Sequence, residues 1–338
     1  MTKPVRLAIF GVGRWGVHLL RNFLAHPQAE MVAIADPNPE LLQKIQKTFA
    51  LPSEVYLTSD WQQVLQTCPL DATVVVTPAV THFELIQDSL TAGLHVLAEK
   101  PLTLNYADAI ALCQLAEKQQ RQLVIDHTYL FHPAVLRGKA ILEAGELGDR
   151  RYGYATRTHL APVRADVDAL WDLMIHDLAI LNYWLGETPH QVSARGSVWL
   201  QPGLADMAWA TIVYPSGFEA NLHGSWLNCD KQRRLCLVGS QGSLIFDELA
   251  ADPLVLQRGE LIQQGVGFQP NGQSREILPL LAQEPLQRVC DHFLNCIQQD
   301  QPSTVSSGWL GADLVATLVA MSRSMQHQGA WMPVSPML

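Results

Sequence analysis

Long hydrophobic runs, blocks of like charge and paired cysteines are all missing from this 338-residue sequence. No stretch approaches the uncharged length that spans a bilayer, so no membrane partner is expected. The opening Met1-Thr2-Lys3-Pro4-Val5-Arg6 has no apolar signal core with a cleavage site, and the expectation is a soluble, cytoplasmic protein. The net charge of −9 is spread along the chain without a basic run, which argues against nucleic acid as a partner. Cys68, Cys113, Cys229, Cys236, Cys290 and Cys296 contain no CxxC and no His pair at zinc-like spacing. That excludes a disulfide framework and a structural metal, and predicts reduced, mostly buried thiols.

What is present is apolar material: 48% of the residues are hydrophobic, in a chain longer than one core usually organises. Two domains are expected, residues 1–126 and 127–338, with the C-terminal helices free to pack back on the first.

The first third alternates short β-branched runs with helical stretches. Strands are predicted at Val5 to Phe10, Met31 to Ala35, Ala72 to Val76, His95 to Ala98 and Leu123 to Ile125. Their apolar character on both faces predicts parallel, covered strands. Asn38 before Pro39 reads as a helix cap with Pro at the first helical position, and Gly93 closes a helix over Thr81 to Ala92. This alternation predicts a doubly wound Rossmann sheet.

The pattern then changes. Helices are predicted at Pro133 to Ala144 and Trp171 to Leu185, ended by Gly145 and Gly186. Alternating stretches follow at Val192 to Leu200, Ala208 to Tyr214, Phe218 to Leu227 and Arg234 to Val238, with turns at Pro215-Ser216-Gly217 and Ser240-Gln241-Gly242. They predict an α+β domain with a large, mostly antiparallel, open sheet. Gly265 to Ser274, rich in Gly, Gln, Pro and Asn, reads as an exposed loop, and helices near Glu284 to Gln299 and Trp309 to His327 finish the chain.

Gly11-Val12-Gly13-Arg14-Trp15-Gly16 directly follows the first predicted strand and opens a helix, the context in which GxGxxG has meaning. The first glycine permits a tight turn, the second lets backbone approach a pyrophosphate, and the third allows helix and strand to pack closely. Arg14 can reach that pyrophosphate or simply stand in solvent. Asp36 ends the second strand about 20 residues later, where a carboxylate accepts ribose hydroxyls and repels a 2'-phosphate. Pro37-Asn38-Pro39 supplies no compensating cation, so NAD is favoured over NADP.

Two further constellations carry chemistry. Glu99-Lys100-Pro101 falls at the carboxyl edge of the parallel sheet, where ligands bind in such folds. Lys100 there either stabilises alkoxide character as a hydride leaves or reaches past the strand end to water. Asp172 and His176, at i and i+4 of a predicted helix, share a face and are either a proton-handling pair or a helix-start acid and a core imidazole. His159, Arg164 and Asp168 precede that helix; an arginine there can grip an anionic substrate group or be solvated.

Taken together, Gly11 to Gly16, Asp36, Thr77-Pro78 with His82, Glu99-Lys100-Pro101, and Asp172 with His176 resemble, in order and spacing, the Gfo/Idh/MocA oxidoreductases, a family named for glucose-fructose oxidoreductase and inositol dehydrogenase. Trp15-Gly16, Arg21-Asn22-Phe23, Asp126-His127-Thr128 with Pro133-Ala134, and Trp171-Asp172-Leu173 with His176-Asp177 are similar to its UDP-N-acetylhexosamine and uronate 3-dehydrogenase branch. The resemblance implies that Lys100 contacts the reacting oxygen, His176 is the general acid or base, and Asp172 orients it. It also implies that Thr77, Pro78, His82, Glu99 and Pro101 line the cofactor. The glycine-rich stretch many members carry before the aspartate is replaced by Asp166-Val167-Asp168-Ala169-Leu170-Trp171, which leaves the substrate open.

The expected function is hydride transfer between NAD and a secondary alcohol carbon of a sugar, polyol or nucleotide-sugar. Two alternatives stay open: a hydrolase or lyase that recycles its own NAD, and a non-catalytic dinucleotide-binding sensor. An open sheet face predicts a homodimer or homotetramer.

Overall fold

The computed structural model describes residues 3–160 and 162–334; Met1 and Thr2 of the opening hexapeptide, and the end of the expected second domain, lie outside the described residues. The chain divides into two compact units, the first made of Met1–Thr128 with Glu284–Val315, the second of Tyr129–Gln283 with Ala316–Leu338.

In the first unit, β1 (Val5–Phe10), α1 (Gly16–Ala25), β2 (Ala29–Ala35), α2 (Pro39–Thr48), β3 (Tyr56–Thr58), α3 (Trp61–Thr67), β4 (Ala72–Val75), α4 (His82–Thr91), β5 (His95–Glu99), α5 (Tyr106–Gln119) and β6 (Leu123–Asp126) alternate along the chain. The strands form one parallel six-stranded sheet in the order β3-β2-β1-β4-β5-β6. The order reverses at β1 and β4, a topological switch point beside the glycine loop. Leu7, Ile9, Val74, Val96, Leu97 and Val124 are buried, which is why these strands read as continuous apolar runs. As expected, Asn38 caps α2, its side chain accepting from Glu40 and Leu41 N–H with Pro39 at the first turn. The edge strand β3 escaped the sequence reading because three residues carry no period.

The free edge of β6 is closed from the far end of the sequence. Ile125 N–H donates to Ser306 O at 3.0 Å, Ser306 Oγ donates to Ile125 O at 2.7 Å, and Val124 bridges Ser307. A Cβ on Gly308 or Gly311 would press on the Leu123 or Ile125 side chain at 2.8 and 3.0 Å, so the two glycines let the following helix settle closely on the strand.

The second unit contains α6 (Pro133–Glu143), β7 (Arg150–Leu160), α7 (Ile175–Leu185), β8 (Gln191–Ser197), β9 (Met207–Val213), β10 (Glu219–Ser225), β11 (Leu227–Gly239), β12 (Gly242–Asp247), β13 (Leu254–Gln264) and β14 (Gly267–Ile277). After α8 (Pro285–Gln299) of the first unit, α9 (Gly308–Gln326) passes from one unit's residues to the other's, and β15 (Met332–Pro333) adds a last edge. The nine-stranded sheet runs β14-β13-β12-β11-β7-β10-β9-β8-β15. It is antiparallel except that β7 and β10 are parallel, since α7 and the β8–β9 hairpin return the chain in β7's direction. Period-2 alternation buries Ala155, Ala208, Ala210, Ala220 and Leu222, and leaves Tyr152, Tyr154 and Trp209 exposed, with His223 stacked on Trp209 at 3.8 Å.

Three expectations are corrected. Gly265 to Ser274 is not a loop: most of it is β14, paired with β13 in a long hairpin. Both strands of its outer part are wet on both faces, so no hydrophobic alternation betrays them; the backbone ladder holds them. The helix from Trp171 is not regular, because Leu170–Met174 is a π-turn that leads into α7. The strands expected to end at Leu227 and begin at Arg234 are β10, which stops at Ser225, and β11, which runs from Leu227 with an irregularity before Gln232. Cys113, Cys236, Cys290 and Cys296 are buried, Cys68 is partly exposed and Cys229 exposed, and no metal-binding group of His, Cys, Asp or Glu occurs among the described residues.

Candidate active site

The glycine loop joins β1 to α1 and is closed from both sides, with Gly11 N–H donating to Ala35 O and Val76 N–H to Phe10 O, each at 2.8 Å. Gly11 takes φ +88°, and a Cβ there would meet Val76 O at 2.5 Å. A Cβ on Gly16 would collide with the Gly11 carbonyl, which is the close helix-to-strand approach expected of the third glycine. A Cβ on Gly13, by contrast, meets nothing within 4 Å: that glycine keeps room for a ligand rather than for protein. Gly13→Ala should therefore leave the melting temperature near the parent's while weakening NAD binding by about ten-fold or more. Gly16→Ala should cost about 1–3 kcal/mol of stability by overpacking. Thermal unfolding beside cofactor titration separates the two; equal loss of fold in both variants would refute this division of labour.

Asp36 at the end of β2 is buried and accepts Val12 N–H on Oδ2 and Asn38 N–H on Oδ1, each at 2.9 Å. It thereby pins the glycine loop to its own turn, while each carboxylate oxygen retains a lone pair for a ribose hydroxyl. Arg14 and Trp15 of the loop are exposed. This cradle fits NAD: open space over Gly13, a helix N-terminus, and an unneutralised Asp36.

Thr77 and Pro78 follow β4, with the Thr81 hydroxyl donating to Thr77 Oγ1 at 2.7 Å and to Pro78 O at 2.8 Å. His82 is 1% exposed and spans Pro101 O at 2.8 Å and Thr77 O at 3.0 Å. It fastens the loop after β4 to the loop after β5. Lys100-Pro101 is a cis peptide at the end of β5. Glu99 is buried, accepting Lys100 N–H at 3.0 Å. Burial and the neighbouring Asp126 push its carboxyl well above the usual range. His127, next along, is held down to about 3 by burial and by the Lys100 cation, and is therefore neutral.

In the second unit, Asp172 lies in the π-turn, accepting Arg164 Nη1 at 3.2 Å on Oδ1 and the Trp226 indole at 3.4 Å on Oδ2. Arg164, partly exposed, spends its fork on acids of its own stretch, also clasping Asp166 at 2.9 and 2.6 Å. Asp168 caps the turn, accepting Trp171 N–H at 3.0 Å, and burial lifts its carboxyl to about 6. The π-turn means that Asp172 and His176 are not spaced as in a regular helix. His176, partly exposed at the start of α7, packs its ring on Tyr129 at 4.9 Å.

Beneath that ring lies a network the sequence did not disclose. Arg157 on β7 donates to both oxygens of Asp177 at 2.9 and 2.8 Å, to Tyr129 Oη at 2.8 Å, and lies 4.4 Å from the Tyr129 ring. The Tyr129 hydroxyl donates to Glu248 at 2.6 Å, and Arg233 reaches Glu248 at 3.0 Å. Burial opposes the Arg157 charge, but Asp177 and Tyr129 outweigh it and hold the guanidinium above its ordinary value. The one available signal was a charged residue at an inward position of an alternating strand, Ala155 and Arg157 sharing the buried face.

Comparison with known proteins agrees with this geometry. The oxidoreductase family with an NAD-binding Rossmann fold matches residues 5–127, and the GFO/IDH/MocA C-terminal domain matches residues 135–245. The chain is 30% identical over 306 residues to UDP-N-acetylglucosamine 3-dehydrogenase of Acidithiobacillus ferrooxidans, covering 88% of this chain and 90% of that protein. It is 25% identical over 322 residues to the NAD-dependent scyllo-inositol 2-dehydrogenase of Bacillus subtilis, covering 90% of each. A solved structure of the Acidithiobacillus enzyme superposes with a TM-score of 0.82 at 26% identity, over 96% of this chain and 99% of that one. Glycine cradle, buried Asp36, Glu99-Lys100-Pro101 edge and full-length similarity converge: the chain belongs to the Gfo/Idh/MocA family of NAD-binding oxidoreductases.

Proposed function

We propose that this protein transfers a hydride between NAD and a secondary alcohol carbon of a sugar, polyol or nucleotide-sugar. The observation that carries the reading is the buried support beneath His176. An ion pair between Arg157 and Asp177, with side chains 3% exposed, holds Tyr129 against the imidazole ring. Desolvating two charges to fix one ring is costly, and is understandable where the orientation of that ring matters.

Gly13 and Asp36 would hold NAD, which would supply the hydride-accepting or hydride-donating chemistry. His176 takes the proton from the substrate hydroxyl, or returns it in the reductive direction. Asp172, braced by Arg164 and Trp226, favours the imidazolium produced. Lys100 stabilises alkoxide character on the reacting oxygen. We further propose that the exposed sheet face around Tyr152, Tyr154 and Trp209 packs against a second copy in a homodimer or homotetramer.

Incubation with NAD and a panel of free sugars, inositols and UDP-sugars tests the reading. NADH absorbance should rise with at least one class. Product release without net NADH would identify an NAD-recycling hydrolase or lyase instead, and NAD binding with no turnover of any class would point to a sensor.

A further inference from the structure

Register places Glu99 of β5 directly beside Asp126 of β6 at the carboxyl edge of the parallel sheet. The two residues are 8% and 1% exposed, neighbours across the sheet with both carboxyl groups shut away from water. Counted as ionised groups, each leaves a buried oxygen unsatisfied: Glu99 Oε1 and Asp126 Oδ2. Two carboxylates cannot satisfy one another, because each only accepts; a carboxylic acid beside a carboxylate can. One proton removes both vacancies and the mutual repulsion of two desolvated charges.

The surroundings decide which carboxyl holds it. Burial raises the Asp126 carboxyl too, but the Thr128 hydroxyl, donating to Oδ1 at 2.7 Å, and the Trp15 indole of the glycine loop pull against that rise. Glu99 receives the Lys100 N–H alone on its other oxygen, and burial together with Asp126 drives it toward the neutral acid. The other charges and thiols acting on the pair are the Lys100 cation and the Cys290 thiol of α8, which burial keeps protonated, while His127, next in the chain after Asp126, is neutral.

We propose that Glu99 and Asp126 hold a single proton carried by Glu99, and that the charge left on Asp126 makes this edge of the NAD-binding unit prefer oxidised, cationic nicotinamide over the reduced, neutral form. The inference rests on the reading that Lys100 marks the reacting end of the cofactor. Without Asp126 the Lys100 cation would stand uncompensated and repel the redox state that carries one more positive charge; the Asp126 anion offsets it in a poorly solvated site. A purely structural role would weaken both forms alike.

The test uses the full chain and two readouts. Infrared spectra of the protein without cofactor near neutral pH should contain the carbonyl stretch of a buried protonated acid, and Glu99→Gln should remove it. Asp126→Asn should lower NAD+ affinity about ten-fold with NADH affinity within about two-fold, while Glu99→Gln, neutral for neutral, moves their ratio by less than about two-fold. Absence of the acid band from the parent, its persistence in Glu99→Gln, or an unchanged affinity ratio in Asp126→Asn would each overturn the proposal. If Asp126→Asn does not fold, the infrared band and the Glu99→Gln ratio still decide it, a ten-fold shift in the latter being contrary. Turnover by Lys100→Ala judges the underlying reading separately: an inactive Lys100 variant beside an unchanged Asp126→Asn ratio sinks only the proton-sharing pair's role.

Discussion

Lys100→Ala and His176→Ala should each lower kcat by about two to four orders of magnitude, with NAD affinity staying within a few-fold of the parent. The asymmetry follows from what each residue touches. Gly13 and Asp36 hold the dinucleotide at the ends of β1 and β2, whereas Lys100 closes β5 and His176 opens α7. In the proposed chemistry Lys100 and His176 act on charge that exists only as the hydride moves, so their removal should appear in kcat more than in binding. The pH profiles should separate them. His176→Ala loses the limb belonging to the proton-accepting group, and Lys100→Ala keeps it at reduced height. A double variant should be less impaired than the product of the single losses, because the two act on one transition state. Parent-like turnover in both single variants would remove the assignment.

The second large effect is on stability. Asp177→Ala strands the Arg157 guanidinium with a side chain 3% exposed, and should cost about 3–5 kcal/mol. Asp177→Ala combined with Arg157→Met removes both charges and should recover much of that loss, since an apolar side chain of similar length needs no partner there. Denaturant unfolding of parent, single and double variants measures the difference. A single-variant loss below about 1 kcal/mol would mean that water or Glu248 compensates Arg157, and that the pair does not lock Tyr129. Catalytic loss in the stabilised double variant is still expected, because Tyr129 loses the cation that grips both its hydroxyl and its ring.

The residues behind these effects differ in how openly the sequence shows them. Gly11 to Gly16, Asn38-Pro39 and Gly186 announce themselves because their reasons are local: a positive φ, a capped first turn, a helix stop. Strands β1, β4 and β6 were readable because parallel strands covered on both faces leave an uninterrupted apolar run. The outer half of the β13–β14 hairpin was not, because its side chains meet solvent on both faces and backbone pairing leaves no mark on residue type. Arg157 shows in sequence only as a charge at an inward strand position; its partners Asp177, Tyr129 and Glu248 reach it across 20, 28 and 91 positions. Glu99 and Asp126 became a pair only through strand order, and the π-turn altered a spacing that sequence takes to be helical.

On the ribosome, Ile125 is synthesised 181 residues before the serine that closes its strand. Until that serine emerges, β6 is an open edge, and the apolar side chains of Leu123 and Ile125 lack the helix start that Gly308 and Gly311 allow to settle on them. A nascent chain carrying all of 1–128 is therefore still unsealed along one side and exposed to mispairing. The cofactor-binding unit is completed only once residues 284–315 have been made, so truncations that remove them while sparing every nucleotide-contacting residue should still cripple it.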